Sequence, residues 1–243
     1  MSEALPISVT GLEYSVSGQV LLDIEALEIG AGGPTVFLGP NGAGKSLFLR
    51  LLHGLIEPSA GAVLVGGEVP DRVARARQAM VFQHPVLLRR SVAANVAYAL
   101  KVHGVAGGAR RDAVKRLLAQ SGLSGQARQA ARTLSGGEQQ RLAFVRAMAG
   151  APDVLFLDEP TSSLDPAASL AIEEMIAQVS AAGTKIVMVT HDLVMAQRLA
   201  TEVVFLHEGR LFEQTPGNAF FKKPVSAAGR GFLARNLAVW DDV

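Results

Sequence analysis

The stretch PTVFLGPNGAGKSLFLRLLHGL, residues 34–55, decides the fold. Residues 34–38 form a short apolar run of strand character, and residues from Leu47 repeat apolar side chains at helical spacing until Gly54, with Pro58 beyond. Between them, Gly39 and Gly44 are separated by four residues and followed by Lys45 and Ser46, which is the phosphate-loop pattern. Each residue type has a physical reason to be there. Glycine lets the backbone curl so that N–H groups can turn inward onto phosphate oxygens, and the helix that follows adds its positive end. Lys45 supplies a compact cation for the β- and γ-phosphates, and the Ser46 hydroxyl is a Mg²⁺ ligand of the right hardness. Pro40, Asn41, Gly42, Ala43 and Leu47 complete the expected phosphate contact.

The same strand–loop–helix grammar runs outward from this point. Residues 7–14 and 20–29 read as a β-hairpin around Ser17-Gly18, and 79–82 as a further strand ending at Gln83. From about 85 to 149 the period turns helical, with helices expected over 92–102, 110–120 and 138–148. Strands and helices then alternate: 154–157 strand, 166–179 helix, 185–190 strand, 193–200 helix and 203–206 strand. Such alternation predicts an α/β fold with a mostly parallel sheet covered by helices on both faces, interrupted by a helical insert.

Two further clusters carry chemistry. The apolar strand 154–157 ends in Asp158-Glu159, two carboxylates at the carboxyl end of a parallel strand, where sheets of this kind bind ligands. There Asp158 would hold Mg²⁺ and Glu159 would activate a water as general base. Residues 134–141, LSGGEQQR, place Ser135 as a natural helix cap, with Gly136 and Gly137 leaving bare N–H groups at the start of a helix. That makes a second anion site about ninety residues after the first.

Residues 134–141 resemble, without departure, the signature motif of the ATP-binding-cassette ATPases, and they lie between the phosphate loop and the carboxylate strand as in that family. The resemblance runs from about residue 7 to 221. It implies a P-loop NTPase core of ABC ATPase type, with an N-terminal antiparallel β subdomain and an inserted helical subdomain. The corresponding boundaries are an ATPase domain over 5–223 (core 5–84 and 150–223, helical subdomain 85–149) and a loosely constrained C-terminal tail over 224–243. It further implies that Ser135, Gly136 and Gly137 bind the γ-phosphate of ATP held by a second ATPase subunit, in a dimer that closes on ATP. Gln83 matches the glutamine that contacts Mg²⁺ or water and senses the membrane subunit. Asp165 lies in the loop that crosses the dimer interface, His191 matches the switch histidine at the γ-phosphate, and Tyr14 resembles the aromatic that stacks on adenine. Implied partners are transmembrane permease subunits and, indirectly, a solute-binding protein, with the chain peripheral on the cytoplasmic face of the membrane. Residues 82–92 look most like the ATPases of tungstate-type oxyanion importers, with phosphate and polar amino-acid importers close behind. A soluble ATPase of translation or DNA repair is the alternative, but such proteins fuse two cassettes or insert long coiled coils, and neither is present.

Composition narrows the rest. A formal net charge of +1 over 243 residues gives no reason to expect nucleic acid as a partner. Arg72, Arg75 and Arg77 form the densest basic cluster, with no aromatics interleaved, and read as a solvated face. With no cysteine there are no disulfides or thiolate metal sites. No signal-peptide pattern opens the chain, and no apolar run approaches the roughly 18 residues that span a bilayer.

Overall fold

A computed structural model describes residues 4–237. Among the described residues nine strands form one sheet: β1 (Ile7–Val16), β2 (Gln19–Ile29), β3 (Thr35–Leu38), β4 (Ala60–Val65), β5 (Gln78–Val81), β6 (Val154–Asp158), β7 (Lys185–Val189), β8 (Glu202–His207) and β9 (Arg210–Pro216). Their spatial order is β4-β1-β2-β9-β8-β3-β7-β6-β5. The run β8-β3-β7-β6-β5 is parallel throughout, whereas β1 pairs antiparallel with β2 and β4, and β9 pairs antiparallel with β8. The sheet is therefore mixed, a parallel half joined to an antiparallel half. The first hairpin turns at Ser17 (φ 52°) and Gly18 (φ 81°), the left-handed pair that a two-residue turn between twisted strands requires.

The helices are α1 (Lys45–His53), α2 (Arg72–Ala76), α3 (Val92–Val102), α4 (Gly107–Gln120), α5 (Gly136–Met148), α6 (Pro166–Ala181), α7 (Leu193–Leu199), α8 (Gly217–Lys222) and α9 (Ala227–Leu237). On one face of the sheet, Phe48, Leu49 and Leu52 of α1 pack with Leu12, Leu22, Ile24 and Phe156. On the other, Phe144, Ile172, Met195, Phe220 and Phe232 pack on Leu155, Leu157 and Phe205. Strand β6 shows why its sequence is continuously apolar: Val154 and Phe156 enter the first core, Leu155 and Leu157 the second. A third core lies off the sheet among α3, α4 and α5, built from Val92, Val96, Leu100, Leu118, Leu142 and Val145. Helix α5 is the joint between cores, since its Leu142 and Val145 face the third and its Phe144 the second.

The arginine cluster is at the surface as expected, Arg72 and Arg75 exposed and Arg77 half-exposed, with Arg75 donating to the Gly54 carbonyl (2.9 Å) and Arg77 pairing with Asp153 (2.6 Å). Strand β4, strand β9 and helices α2, α8 and α9 have weak or short periodicity and are visible only once packed. The residues after 223 are not loose as far as 237. The buried Glu213 carboxylate of β9 accepts from the Val225 N–H (2.6 Å) and the Ser226 N–H (3.1 Å), and Phe232 and Leu233 enter the second core. Residues 238–243 of the expected tail lie outside the described residues.

Phe232 is 7% exposed against Phe205. Phe232→Ala is expected to lower the unfolding free energy by about 3 kcal/mol. Urea unfolding should show this as a lower midpoint with an unchanged slope, and an unshifted midpoint would mean that α9 is no part of the folded unit.

Candidate functional site

The carboxyl ends of β3, β6 and β7 lie side by side, with Phe37 opposite Val189 and Asp158 opposite Val189. Each strand delivers one part of a cleft of about 440 Å³, lined by Asn41, Gly42, Gly44, Lys45, Ser46, Leu47, Gln83, Glu159 and His191. The loop after β3 reverses through Gly39 (φ 150°) and Gly44 (φ 91°). A Cβ on Gly39 would collide with the Leu206 carbonyl oxygen, and one on Gly44 would sit 2.6 Å from the Leu22 side chain. The loop is thus clasped by β8 on one side and by the first hairpin on the other, and only glycine fits at either contact.

Lys45 opens α1 and folds back, its Nζ donating to the Gly39 carbonyl (2.8 Å) and the Pro40 carbonyl (2.9 Å). Burial lowers the pKa of this ammonium below the ordinary lysine value, against the opposing pull of Glu159 and Asp158. The Ser46 hydroxyl donates to Asp158 Oδ1 at 2.6 Å, across 112 residues of sequence. Arg50, one turn along α1, brings Nη2 to 3.6 Å from Asp158 Oδ2. Glu159 holds a left-handed backbone (φ 49°), and its N–H donates to the Val189 carbonyl at 2.9 Å. Its Oε2 lies 2.7 Å from His191 Nδ1 and accepts from the His191 N–H at 3.2 Å. Burial raises the Glu159 pKa above the ordinary glutamate value, while His191 and Lys45 counteract that shift. Gln83 reaches the cleft from the end of β5, its Nε2 donating to Ser162 Oγ at 3.0 Å.

Phosphate loop, Asp158-Glu159, Gln83 and His191 are therefore assembled within one chain. The other expected residues stand apart. Ser135 caps α5 by a reciprocal box, its Oγ accepting from the Glu138 N–H (3.3 Å) and its own N–H donating to Glu138 Oε2 (2.8 Å). Ser135 and Gly136 are exposed, and Gly137 is buried with its Cα side against Ala168. None of the three lines the cleft. Asp165 caps α6, Oδ1 accepting from the Ala168 N–H at 2.9 Å, also outside the cleft. Tyr14 does not line it either: the ring is half-buried against the first core. The apolar surface exposed at that end of the hairpin is Val16 (48%) and Val20 (52%), beyond the contact of Leu22 with Gly44. Ala43 is buried and serves the loop through its carbonyl, which accepts from the Gly209 N–H at 3.3 Å.

The chain matches a known family. The family profile described as ABC transporter matches residues 22–162, more than half the chain. The chain belongs to the ABC transporter family. Curated relatives cover most of its length and are ATP-binding proteins of importers. The phosphate import protein PstB 2 of Natronomonas pharaonis is 36% identical over 95% of this chain and 87% of that protein. The methionine import protein MetN of Xanthomonas oryzae pv. oryzae is 37% identical over 91% of this chain and 69% of that one. The tungstate uptake protein TupC of Peptoclostridium acidaminophilum is 38% identical over 86% of this chain and 98% of that one. Among solved structures, cbiO1 of Clostridium perfringens, part of the ABC transporter complex cbiONQ, superposes with a TM-score of 0.80 at 27% identity, covering 96% of this chain and 94% of that one. As an ATP-binding subunit of this family, the chain is an ATPase.

In this ABC ATPase Arg50 belongs to no motif, although its place four residues after Ser46 on α1 puts it on the same face. No local pattern announces the contact of Ser162 with Gln83 either. Gly39→Ala is expected to destabilise the fold by roughly 2 kcal/mol or more, because both the backbone angle and the Leu206 contact reject a methyl group. ATP affinity should fall at least about tenfold with it. Parental affinity by equilibrium binding would mean that the loop tolerates a different path.

Proposed function

We propose that this chain energises solute import as one half of an ATP-closed pair seated on membrane permease subunits. One observation supports the division of labour above all. Loop, carboxylates, Gln83 and His191 converge in one cleft, while the capped glycines Gly136 and Gly137, which have the form of a second anion site, do not line it. A second copy presenting its Ser135–Gly137 helix start to this cleft would complete a cage around the γ-phosphate, and the copies are identical in the simplest arrangement. ATP then contacts both halves only when they are closed, the differential affinity that a ligand needs to drive closure. Hydrolysis removes the link and lets the pair reopen.

In the reaction, water attacks the γ-phosphorus as the bond to the ADP oxygen breaks. Glu159 accepts the proton of that water, its burial keeping the carboxylate a better base than an exposed glutamate. Lys45 leaves the Gly39 and Pro40 carbonyls for the phosphate oxygens, and His191 and Gln83 orient the water and the γ-phosphate. Ser46 and Asp158 fit Mg²⁺: two hard oxygens converge at 2.6 Å, and no group of three or more metal-ligating His, Cys, Asp or Glu residues exists among the described residues. That sparse set suits an ion whose remaining ligands are water and substrate phosphate. Mg²⁺ bound there would supply charge neutralisation. The adenine, in this reading, lies along the Val16–Val20 edge and not on the Tyr14 ring.

No helix among the described residues is long and apolar enough to cross a membrane, so attachment at the cytoplasmic face falls to a partner. A groove of about 390 Å³ beside Gln83 suits that partner. It is lined by Phe82, Pro85, Val86, Tyr98, Val102 and Arg146, with Val86 79% and Val102 64% exposed. A permease docked there would reach the cleft through Gln83, and a solute-binding protein would act only through the permease. For cargo we infer an oxyanion, tungstate or a similar ion, supported by residues 82–92 and by the tungstate and phosphate import relatives.

Glu159→Gln should bind ATP normally and lose on the order of 10²- to 10⁴-fold in turnover. The shared cage has its own test. Lys45→Ala and Gly136→Asp chains, each inactive alone, should regain ATPase activity when mixed, because one of the two composite sites is then intact. Absence of recovery, with mixed pairs shown to form, would sink the shared site.

A further inference from the structure

The cleft has a neighbour. A second cavity of about 490 Å³ opens on the other side of His191, bounded by Ser163, Leu164, Ser169, Glu173 and Arg198. His191 lines both, so this half-exposed side chain is the wall between them. With open space behind it, the position of His191 is set by its backbone, and so by the seat of α7, which begins two residues later. Asp192 caps that helix, Oδ1 accepting from the Met195 N–H at 2.9 Å. Helix α7 has only seven residues; it buries Leu193, Met195 and Ala196 in the second core and is tied to α6 by a charged anchor. In its last turn, Arg198 forks onto Glu173 of α6: Nη2 donates to Oε1 and Oε2 at 2.7 Å each, and Nε donates to Oε2 at 3.0 Å. The Glu173 side chain is 9% exposed, beside the fully buried Ile172 and Ile176. Two turns upstream, Asp165 caps the start of the same helix, directly after Ser163 and Leu164.

We propose that the Glu173–Arg198 fork is a positioning brace, which sets His191 and through it Glu159 in register with the 163–165 loop. The proposal rests on the reading of Glu159 as the general base. A planar guanidinium gripping both carboxylate oxygens fixes angle as well as distance, which a single contact or apolar packing does not. Neither α6 nor α7 contributes to the phosphate loop. Loosening the brace therefore moves the water-activating side of the cleft and leaves the phosphate cradle alone. Near the reacting atoms, a displacement of about an ångström is enough to cost one or two orders of magnitude in rate.

Removing one partner would strand a buried charge and unfold part of the chain, so the test replaces both with apolar side chains of similar volume. For purified full-length Glu173→Leu/Arg198→Met, ATP affinity should stay within about twofold of the parent while kcat falls about tenfold. In a Glu159→Gln background the same pair of changes should cost nothing further, which a merely structural role would not predict. Parental kcat, a loss of ATP affinity in step with kcat, or an undiminished further loss in the Glu159→Gln background would each overturn the brace. Should the double variant not fold, Arg198→Lys keeps the charge but not the fork: a kcat about threefold lower at unchanged KM supports the proposal, and parental kcat overturns it. A parental rate in Glu159→Gln alone would remove the base assignment and with it this route, whereas a parental rate in the brace variant alone removes only the brace.

Discussion

Parallel pairing of β3, β7 and β6 is the constraint on which the rest depends. Parallel strands in register end together, so the loop after β3, the carboxylates after β6 and His191 after β7 are delivered to one edge with no further device. The 2.6 Å contact between Ser46 and Asp158 is the direct consequence. Residues more than a hundred positions apart share a proton because their strands stop at the same level. Apolar burial on both faces of β6 then makes a slip of register costly, since every side chain of the strand would change cores.

Around that edge the structure places charge with care. Lys45, buried among carbonyls, has its ammonium destabilised by lost hydration, and Glu159 has its carboxylate destabilised for the same reason. Both are held by internal partners, the Gly39 and Pro40 carbonyls for the lysine and His191 for the glutamate, so each buried charge is satisfied within the protein.

Helix α5 connects this edge to the rest of the molecule. Its start carries the Ser135–Glu138 box, its middle crosses from the third core to the second, and Gln140 donates to the Phe82 carbonyl at 3.3 Å, one residue before Gln83. Arg146 donates to the Val86 carbonyl at 2.7 Å, in the groove beside Gln83. The helix start at Gly136 and the groove beside Gln83 are therefore contacted by one and the same helix.

Much of this was legible in the residues because the information is local. The loop 39–46, the cap at Ser135 and the apolar run into Asp158-Glu159 are short patterns whose chemistry depends on neighbours in the chain, and they appear in the structure within a residue or two of expectation. What folding decided is whatever depends on packing between distant segments. Tyr14 looked available to stack on a base; beside the register shift between Tyr14 and Ser15 its ring lies half-buried against the core, while Val16, two residues on, is exposed. Arg75 and Arg77 stay at the surface as expected, but their partners there, Gly54 and Asp153, come from segments that no local window joins. The segment after Pro224 looked loose until Glu213, on a strand the sequence barely signals, pinned the two residues before its helix. Sequence alone determined which groups can do chemistry, since that is a property of residue type and short spacing. Tertiary structure decided which of them meet, because the energy of meeting comes from burial and pairing that no local window contains.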